Sequence, residues 1–490
     1  MLNQSMPYPP DSRFMPMFAY HSNLSKTDEQ KRWPVPSLYM LTAFFALGFF
    51  APMFVGKLGI VTVFFLATLF PSKGLRQYLV KGDLASILMT ITPVMILGNF
   101  DAIGDLLGNE TFRFSWILLV LGTFVVLFRA WTTLKGPLIP CCLAVAGMVS
   151  IQIASTFGNT DILKGVESNL AYLLAFLTSM IVLVKKNGRD TFMWQMCLVS
   201  VVNSGFCAFE ILNPSSGITI SSSQSSYTEQ TVRSAGLYAN AIASGLMTSN
   251  FVLLASVTCT KLKPSINEKI SLLGFAAISG VGVLATFSRS AALAFFLAGV
   301  FTAFRLSNNK FGRFVQYLPF ALLLILASFF GLGEYLSSKG DLHGGASKRY
   351  TMVKDAMMGD FTVVKKSVNE RLSVLQPTQK YWSSPKFMGE GFVFVSQNRI
   401  FPPHNMIILL LVEIGWFGLL FYFGMTFFLC GFGNWQFKVS NIVLFLSILI
   451  PLALLTLESH SLFTRRYFAI YFAELILATR ILFNAKARRL

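Results

Sequence analysis

The sequence predicts an all-α protein, a polytopic bundle of about 12–14 transmembrane helices with one large extramembrane loop that contains an amphipathic helix. Three observations predict it. Hydrophobic residues make up 54% of the 490 and charged residues only 13%, against roughly 25% charged in soluble proteins. The mean hydropathy is +0.61, and apolar runs recur from Leu38 to Phe483. The basic residues fall mainly in short segments between those runs, on alternate sides.

The first 36 residues are polar and Pro-rich, with no apolar core of a signal peptide, so the first span is expected to act as its own insertion signal. A span needs ~20 apolar residues. Fourteen candidates meet or approach this: 38–55, 58–71, 84–99, 114–128, 137–153, 169–184, 191–212, 236–258, 270–287, 290–304, 315–333, 404–430, 440–457 and 466–483. With both termini cytoplasmic, the inner segments carry 23 of the 40 basic residues and the short outer loops carry seven. The remaining ten lie in one long outer segment, and long loops are largely exempt from the rule. This asymmetry predicts cytoplasmic termini, with the polar span ends and the long segment on the non-cytoplasmic face.

The expected organisation follows. Residues 1–36 form a cytoplasmic tail and 37–212 an N-terminal transmembrane bundle. Residues 213–235 are a Ser-rich outer loop, 236–333 further transmembrane helices, and 334–403 the large outer loop. Residues 404–483 hold the C-terminal helices, and 484–490 a short cytoplasmic tail. In the large loop Tyr350, Val353, Met357, Phe361, Val364, Val368, Leu372 and Leu375 recur at steps of three and four, one apolar stripe on a helix that Pro377 is expected to end.

The net charge of +18 does not predict nucleic-acid binding, because the cations are spread among the inter-span segments. The six cysteines fall within or at the ends of apolar runs, without metal spacing or a disulfide pattern. Neither metal nor cofactor is expected. No phosphate-binding loop, acidic metal pair or GxGxxG after a strand is present, so nucleotide-driven chemistry is not supported.

Polar groups concentrate at four outer span ends. R-S-A-G-L-Y-A-N supplies Arg233, Tyr238 and Asn240; T-F-S-R-S supplies Ser288, Arg289 and Ser290. G-E-G-F followed by P-P-H-N supplies Gly389, Gly391, His404 and Asn405, and E-S-H supplies Glu458 and His460. Outer-face arginine runs against the topological rule, which argues for a function. Arginine grips phosphate with a planar fork that stays charged, and two arginines in a bundle mouth fit a diphosphate. Histidine near pKa ~6.5 can take a proton from a hydroxyl, and His404, fixed behind two prolines, is the best base among the four histidines. Glu210, Glu413, Glu458 and Glu474 lie in or near apolar runs and are costly there unless paired; Glu413 reads as a structural partner.

These residues, in this order, resemble the O-antigen ligase and Wzy-type polymerase superfamily of inner-membrane glycosyltransferases. The resemblance runs from about Arg233 to Phe423, through R-S-A-G-L-Y-A-N-A-I-A, S-R-S-A-A-L-A and G-E-G-F...P-P-H-N-M-I-I-L-L-L-V-E-I-G-W-F-G-L-L. The family more often reads N-P-N where this chain has Ala239, Asn240 and Ala241.

The resemblance implies a metal-independent enzyme acting on glycans carried by undecaprenyl diphosphate, without nucleotide sugar. By position, Arg233 and Arg289 match the arginines expected to hold the diphosphate, and His404 the histidine expected to activate the acceptor. Arg371, Asn405, Asn240, Tyr238 and His460 are expected substrate contacts. Expected partners are the lipid-linked glycan, an acceptor glycan or lipid, the bilayer, and a chain-length regulator and flippase of the same pathway. A polymerase is the first reading and a ligase the second. A flippase or transporter would predict inverted repeats and mid-bilayer charges, and no such internal symmetry is visible.

Overall fold

The computed structural model describes residues 33, 35–71, 120–121, 124, 138–156, 162–184, 186–213, 216, 218, 234–238, 241–259, 265–306, 311–338, 344–391, 394–397, 405–430, 453 and 466–483. The chain divides into Met1–Trp33 and one compact unit from Pro34 to Leu490, and every described helix belongs to the second. Among the described residues that unit is built of helices and their connecting turns, with no strand, as the composition predicts. The expected span at 84–99 lies outside the described residues, as do those at 114–128 and 440–457 apart from residues 120–121, 124 and 453.

Helices α1 (Leu38–Val55) and α2 (Lys57–Leu69) meet at Gly56, whose φ of 62° reverses the chain. Next come α3 (Leu138–Thr156), α4 (Ile162–Val184) and α5 (Lys186–Leu212), then α6 (Ala241–Thr258), α7 (Ile266–Ala285) and α8 (Arg289–Leu306). Helix α9 (Phe311–Ser338) leads to α10 (Gly344–Met357) and α11 (Thr362–Trp382). Helices α12 (Met406–Cys430) and α13 (Arg466–Phe483) complete the chain. Six of these, α1, α3, α5, α6, α7 and α12, contain stretches long and apolar enough to cross a membrane, so the chain is a membrane protein.

Helix α5 is the hub. It packs against α1, α2, α4, α6 and α7. Small residues let it approach α1: a Cβ on Gly48 would lie 2.5 Å from the Val202 carbonyl oxygen, and Gly205 faces the backbone of Phe45 and Phe49. Close backbone approach of this kind drives helix association where lipid removes the hydrophobic incentive. Polar bonds add to it. Gln195 Nε2 donates to the Thr68 carbonyl at 2.8 Å, and Asn203 Nδ2 donates to Ser244 Oγ at 2.9 Å and Thr248 Oγ1 at 3.1 Å. Each such bond is worth ~0.6 kcal/mol in a bilayer. Helix α7 starts at a capping box in which Ser265 N donates to Glu268 Oε2 at 2.7 Å.

Three expectations from sequence need correction. The run at 236–258 is not one helix: Gly236–Tyr238 form a 3-10 turn and α6 begins at Ala241. Gly236 has φ 58°, and a Cβ there would lie 2.6 Å from Ser244 Oγ and 2.7 Å from Cys207 Sγ. The stripe at 350–375 is split between α10 and α11 by Met358–Phe361, with Gly359 at φ 88°. Pro377 lies inside α11, which continues to Trp382. Packing holds that last turn: Thr378 is buried, and the Tyr381 ring meets Phe394 edge-on at 5.1 Å, in the single helical turn Phe394–Gln397.

The span expected at 404–430 is α12, but it breaks at Gly415 (φ 68°, ψ −167°), so Met406–Ile414 and Trp416–Cys430 are two helical pieces. Depth along the span therefore cannot be counted from residue 404 as though it were one rod.

Candidate functional site

The first assembly forms where α5 ends. Glu210, two residues before that end, is 6% exposed, and its Oε2 accepts from Ser234 Oγ at 2.5 Å, Ala235 N at 3.0 Å and Gly236 N at 2.9 Å. A carboxylate that accepts three bonds is a strong anchor, because charge-assisted bonds are roughly twice as strong as neutral ones. Two helical turns back, Asn203 Oδ1 accepts from Leu237 N at 2.9 Å. The stretch Ser234–Tyr238 is thus pinned to a single helix at two points, with Tyr238 buried in the turn.

That stretch also meets the S-R-S joint. Ser234 N donates to the Ala285 carbonyl at 3.3 Å, at the last residue of α7. The chain then turns through Phe287, the one non-glycine residue with positive φ (47°) among the described residues. Such a conformation is strained for a bulky residue and clusters at functional sites. Burial holds it: Phe287 packs with Cys207, Ile211, Ala285, Leu336 and Tyr350. Ser288 accepts from Ala292 N through its carbonyl at 2.9 Å and from Ala291 N through Oγ at 3.4 Å, so α8 starts directly at Arg289.

Arg289 therefore occupies the first turn of α8, where helix dipole and guanidinium both contribute positive potential. Its Nη1 donates to Met352 Sδ at 3.2 Å. A thioether is a weak acceptor, so this contact positions the fork without neutralising its charge. Met352 belongs to α10, which is latched onto α9: Glu334 Oε1 accepts from Tyr350 Oη at 2.5 Å and from Lys354 Nζ at 2.8 Å. The carboxylate beside it holds the Lys354 ammonium above its ordinary range.

The second assembly is built on the break in α12. Glu390 N donates to the Val412 carbonyl at 2.8 Å and Gly391 N to the Glu413 carbonyl at 2.9 Å. In return Phe417 N donates to the Phe387 carbonyl at 3.1 Å. Gly389 (φ 73°) and Gly415 face each other so closely that a Cβ on Gly389 would lie 2.5 Å from the Glu413 carbonyl. Glu413 takes part in this assembly through its backbone carbonyl. Asn405 caps α12, its Oδ1 accepting from Ile407 N at 2.9 Å and Ile408 N at 3.2 Å.

Of the expected site residues, Arg289 and Tyr238 fall in the first assembly and Asn405 in the second. Arg371 lies on α11, which packs against both α10 and α12 and so runs between the two assemblies. Arg233, Asn240, His404 and His460 lie outside the described residues, although Arg233 directly precedes Ser234, Asn240 precedes α6 and His404 precedes Asn405. Sequence reasoning missed the clamp by Glu210, the contact of Met352 and the latch of Glu334. Only Glu210 had a signal, as an acidic residue at the end of an apolar run.

The arrangement puts cationic and hydrogen-bonding groups at helix ends beside a strained joint, a setting suited to an anionic substrate. A search among curated proteins finds no match. Residues 274–423, from α7 to α12, match the Wzy_C family, described as O-antigen ligase. That stretch contains the S-R-S joint, the whole of α10 and α11, the G-E-G loop and the P-P-H-N motif. The chain is thus similar to the O-antigen ligase family over residues 274–423.

Proposed function

We propose that this protein is a Wzy-type polymerase of surface polysaccharide (exopolysaccharide, capsule or O-antigen), working at the periplasmic face of the bacterial inner membrane. It transfers a glycan from undecaprenyl diphosphate to another lipid-linked repeat unit. The observation that carries this reading is the placement of Arg289, within the matched stretch 274–423, in the first turn of α8, just past Ala285, whose carbonyl accepts from the amide of Ser234, the residue following Arg233.

In the proposed reaction the acceptor hydroxyl oxygen attacks the anomeric carbon as the bond from that carbon to the diphosphate oxygen breaks. His404 takes the acceptor proton, and undecaprenyl diphosphate leaves with its charge held by Arg289, Arg233 and Arg371. Since the diphosphate is already a good leaving group, catalysis consists mainly of positioning and charge stabilisation. A single displacement inverts the anomeric centre. Tyr238, Asn240, Asn405 and His460 complete the substrate contacts, and the reaction needs no metal.

The second reading is a ligase that moves a finished glycan to lipid A-core or protein, and the description of the matched domain favours it. Glycans from a deletion strain separate the two. Single repeat units on the carrier identify a polymerase, and full-length polymer stranded on undecaprenyl diphosphate identifies a ligase. Unchanged glycans would remove both readings and leave a flippase or transporter to be considered. Within either enzyme reading, His404→Ala should abolish transfer, which should persist in a metal chelator; unchanged polymer yield in His404→Ala would sink the base assignment.

A further inference from the structure

The exposed side of the second piece of α12 is a single apolar stripe. Trp416, Phe417, Leu420, Phe423, Phe427 and Phe428 recur at helical spacing, and all are exposed. On a helix long and apolar enough to cross a membrane, an exposed stripe of this kind is the lipid-facing side.

The loop from Ser383 to Gly391 lies against the top of that stripe. The Phe387 ring sits 5.6 Å from the Phe417 ring, yet Phe387 remains 66% exposed and the adjoining Met388 44%. The loop leaves these two side chains exposed, with Phe387 seated against Phe417 of the stripe. Lys386 and Glu390 pair at 2.7 Å with the lysine largely exposed, an arrangement that suits a headgroup rim and a snorkelling stem.

The backbone of the loop is equally suited to a dry setting. Irregular backbone survives at membrane depth only where its polar groups find partners within the protein. The break at Gly415 interrupts the hydrogen-bond ladder of α12, and the loop takes up the interrupted groups: Val412 and Glu413 carbonyls receive Glu390 and Gly391 amides, and the Phe417 amide reaches the Phe387 carbonyl. Gly389 N turns inward to the Lys386 carbonyl at 3.3 Å. Loop and broken helix satisfy each other.

We infer that residues 383–391 form a membrane-seated loop, with Phe387 and Met388 among the acyl chains of the bulk phospholipid beside α12. The occupant is bilayer lipid because the two side chains continue a surface that already faces it. The inference concerns where the G-E-G loop resides and does not depend on the reaction proposed above.

The test uses the full-length chain in nanodiscs of phosphatidylethanolamine and phosphatidylglycerol, without polyprenyl lipid. Spin labels are placed at Phe387→Cys, at Met388→Cys, at Phe427→Cys as the lipid-facing reference and at Lys365→Cys as the aqueous one. Cys141, Cys197, Cys207 and Cys259 are buried, and the parent chain treated with the same reagent sets the background. The oxygen-to-nickel collision ratio at Phe387 and Met388 is expected to match that at Phe427. A ratio like that at Lys365 overturns the inference by placing the loop in water. Shielding from both reagents overturns it by showing that protein covers the loop. The Met388 label decides the matter should Phe387→Cys, which gives up the ring contact with Phe417, fail to fold.

Discussion

The Glu210 carboxylate receives the amide of Gly236 at 2.9 Å from across 26 residues of sequence, together with the Ala235 amide and the Ser234 hydroxyl. One buried side chain thus fixes the backbone that follows Arg233. Glu210→Ala strands two amides and a hydroxyl in a buried setting, where each unsatisfied group costs ~1–3 kcal/mol. A lower melting temperature in detergent is expected, with Glu210→Gln intermediate because it keeps one acceptor oxygen but loses the charge. In a transfer assay both variants should raise KM for the lipid-linked donor, since Arg233 loses its support. A normal melting temperature for Glu210→Ala would show that the clamp contributes little.

Arg289→Lys keeps the charge but loses the planar fork, and Arg289→Ala loses both. Removing one pre-oriented donor of this kind costs roughly 10²-fold in rate. Transfer by Arg289→Ala is expected to fall by at least that factor, and Arg289→Lys to recover only a minor part, because a lysine presents a point charge where two parallel bonds are needed. Polymer yield on purified lipid-linked glycan is the readout. Full recovery by lysine would mean that charge alone suffices.

Gly415 sits at φ 68° and ψ −167°, a region essentially restricted to glycine. Gly415→Ala adds backbone strain of ~1–3 kcal/mol and drives a methyl into the carbonyl oxygens of Lys386 and Phe387. The expected result is detachment of the loop, read as faster amide exchange over 383–391, with α1 and α5 unaffected. If exchange stayed slow there, the break would be more forgiving than its geometry implies.

Asp360 accepts from Thr362 Oγ1 at 2.7 Å and from Thr362 N at 2.9 Å, and these bonds hold its carboxyl below the ordinary carboxylate range. A depressed folded pKa gives stability that is present above the unfolded value of ~3.9 and lost as pH falls through the lower folded value. The first turn of α11 is therefore expected to fray only in strong acid. Asp360→Ala should fray it at neutral pH and remove the acid response, which hydrogen exchange at Val363 to Lys365 can follow.

The membrane bundle was legible because apolar composition over ~20 residues has few other outcomes. The S-R-S joint was legible for a similar reason: a charged residue between two apolar runs must mark a turn. The break at Gly415 was hidden, since Met406–Cys430 reads as an unbroken apolar run and glycine alone does not distinguish a tolerated helical site from a kink. Pro377 misled in the opposite direction, because the cost of proline in a helix is offset here by tertiary packing of Tyr381 and Thr378. The role of Glu210 depends on a partner 24 residues away in sequence, beyond any local pattern.

The double anchoring of Ser234–Tyr238 to α5 also fixes an order of events during synthesis. Asn203 and Glu210 leave the ribosome before the turn they hold and before the joint at Ala285–Arg289. Helix α5 is then a template already inserted when its two clients arrive, in keeping with N-terminal parts folding first. Nascent chains stalled before residue 289 would carry the template without its second client, and the cationic joint would come together only after α7 has crossed and α8 has begun.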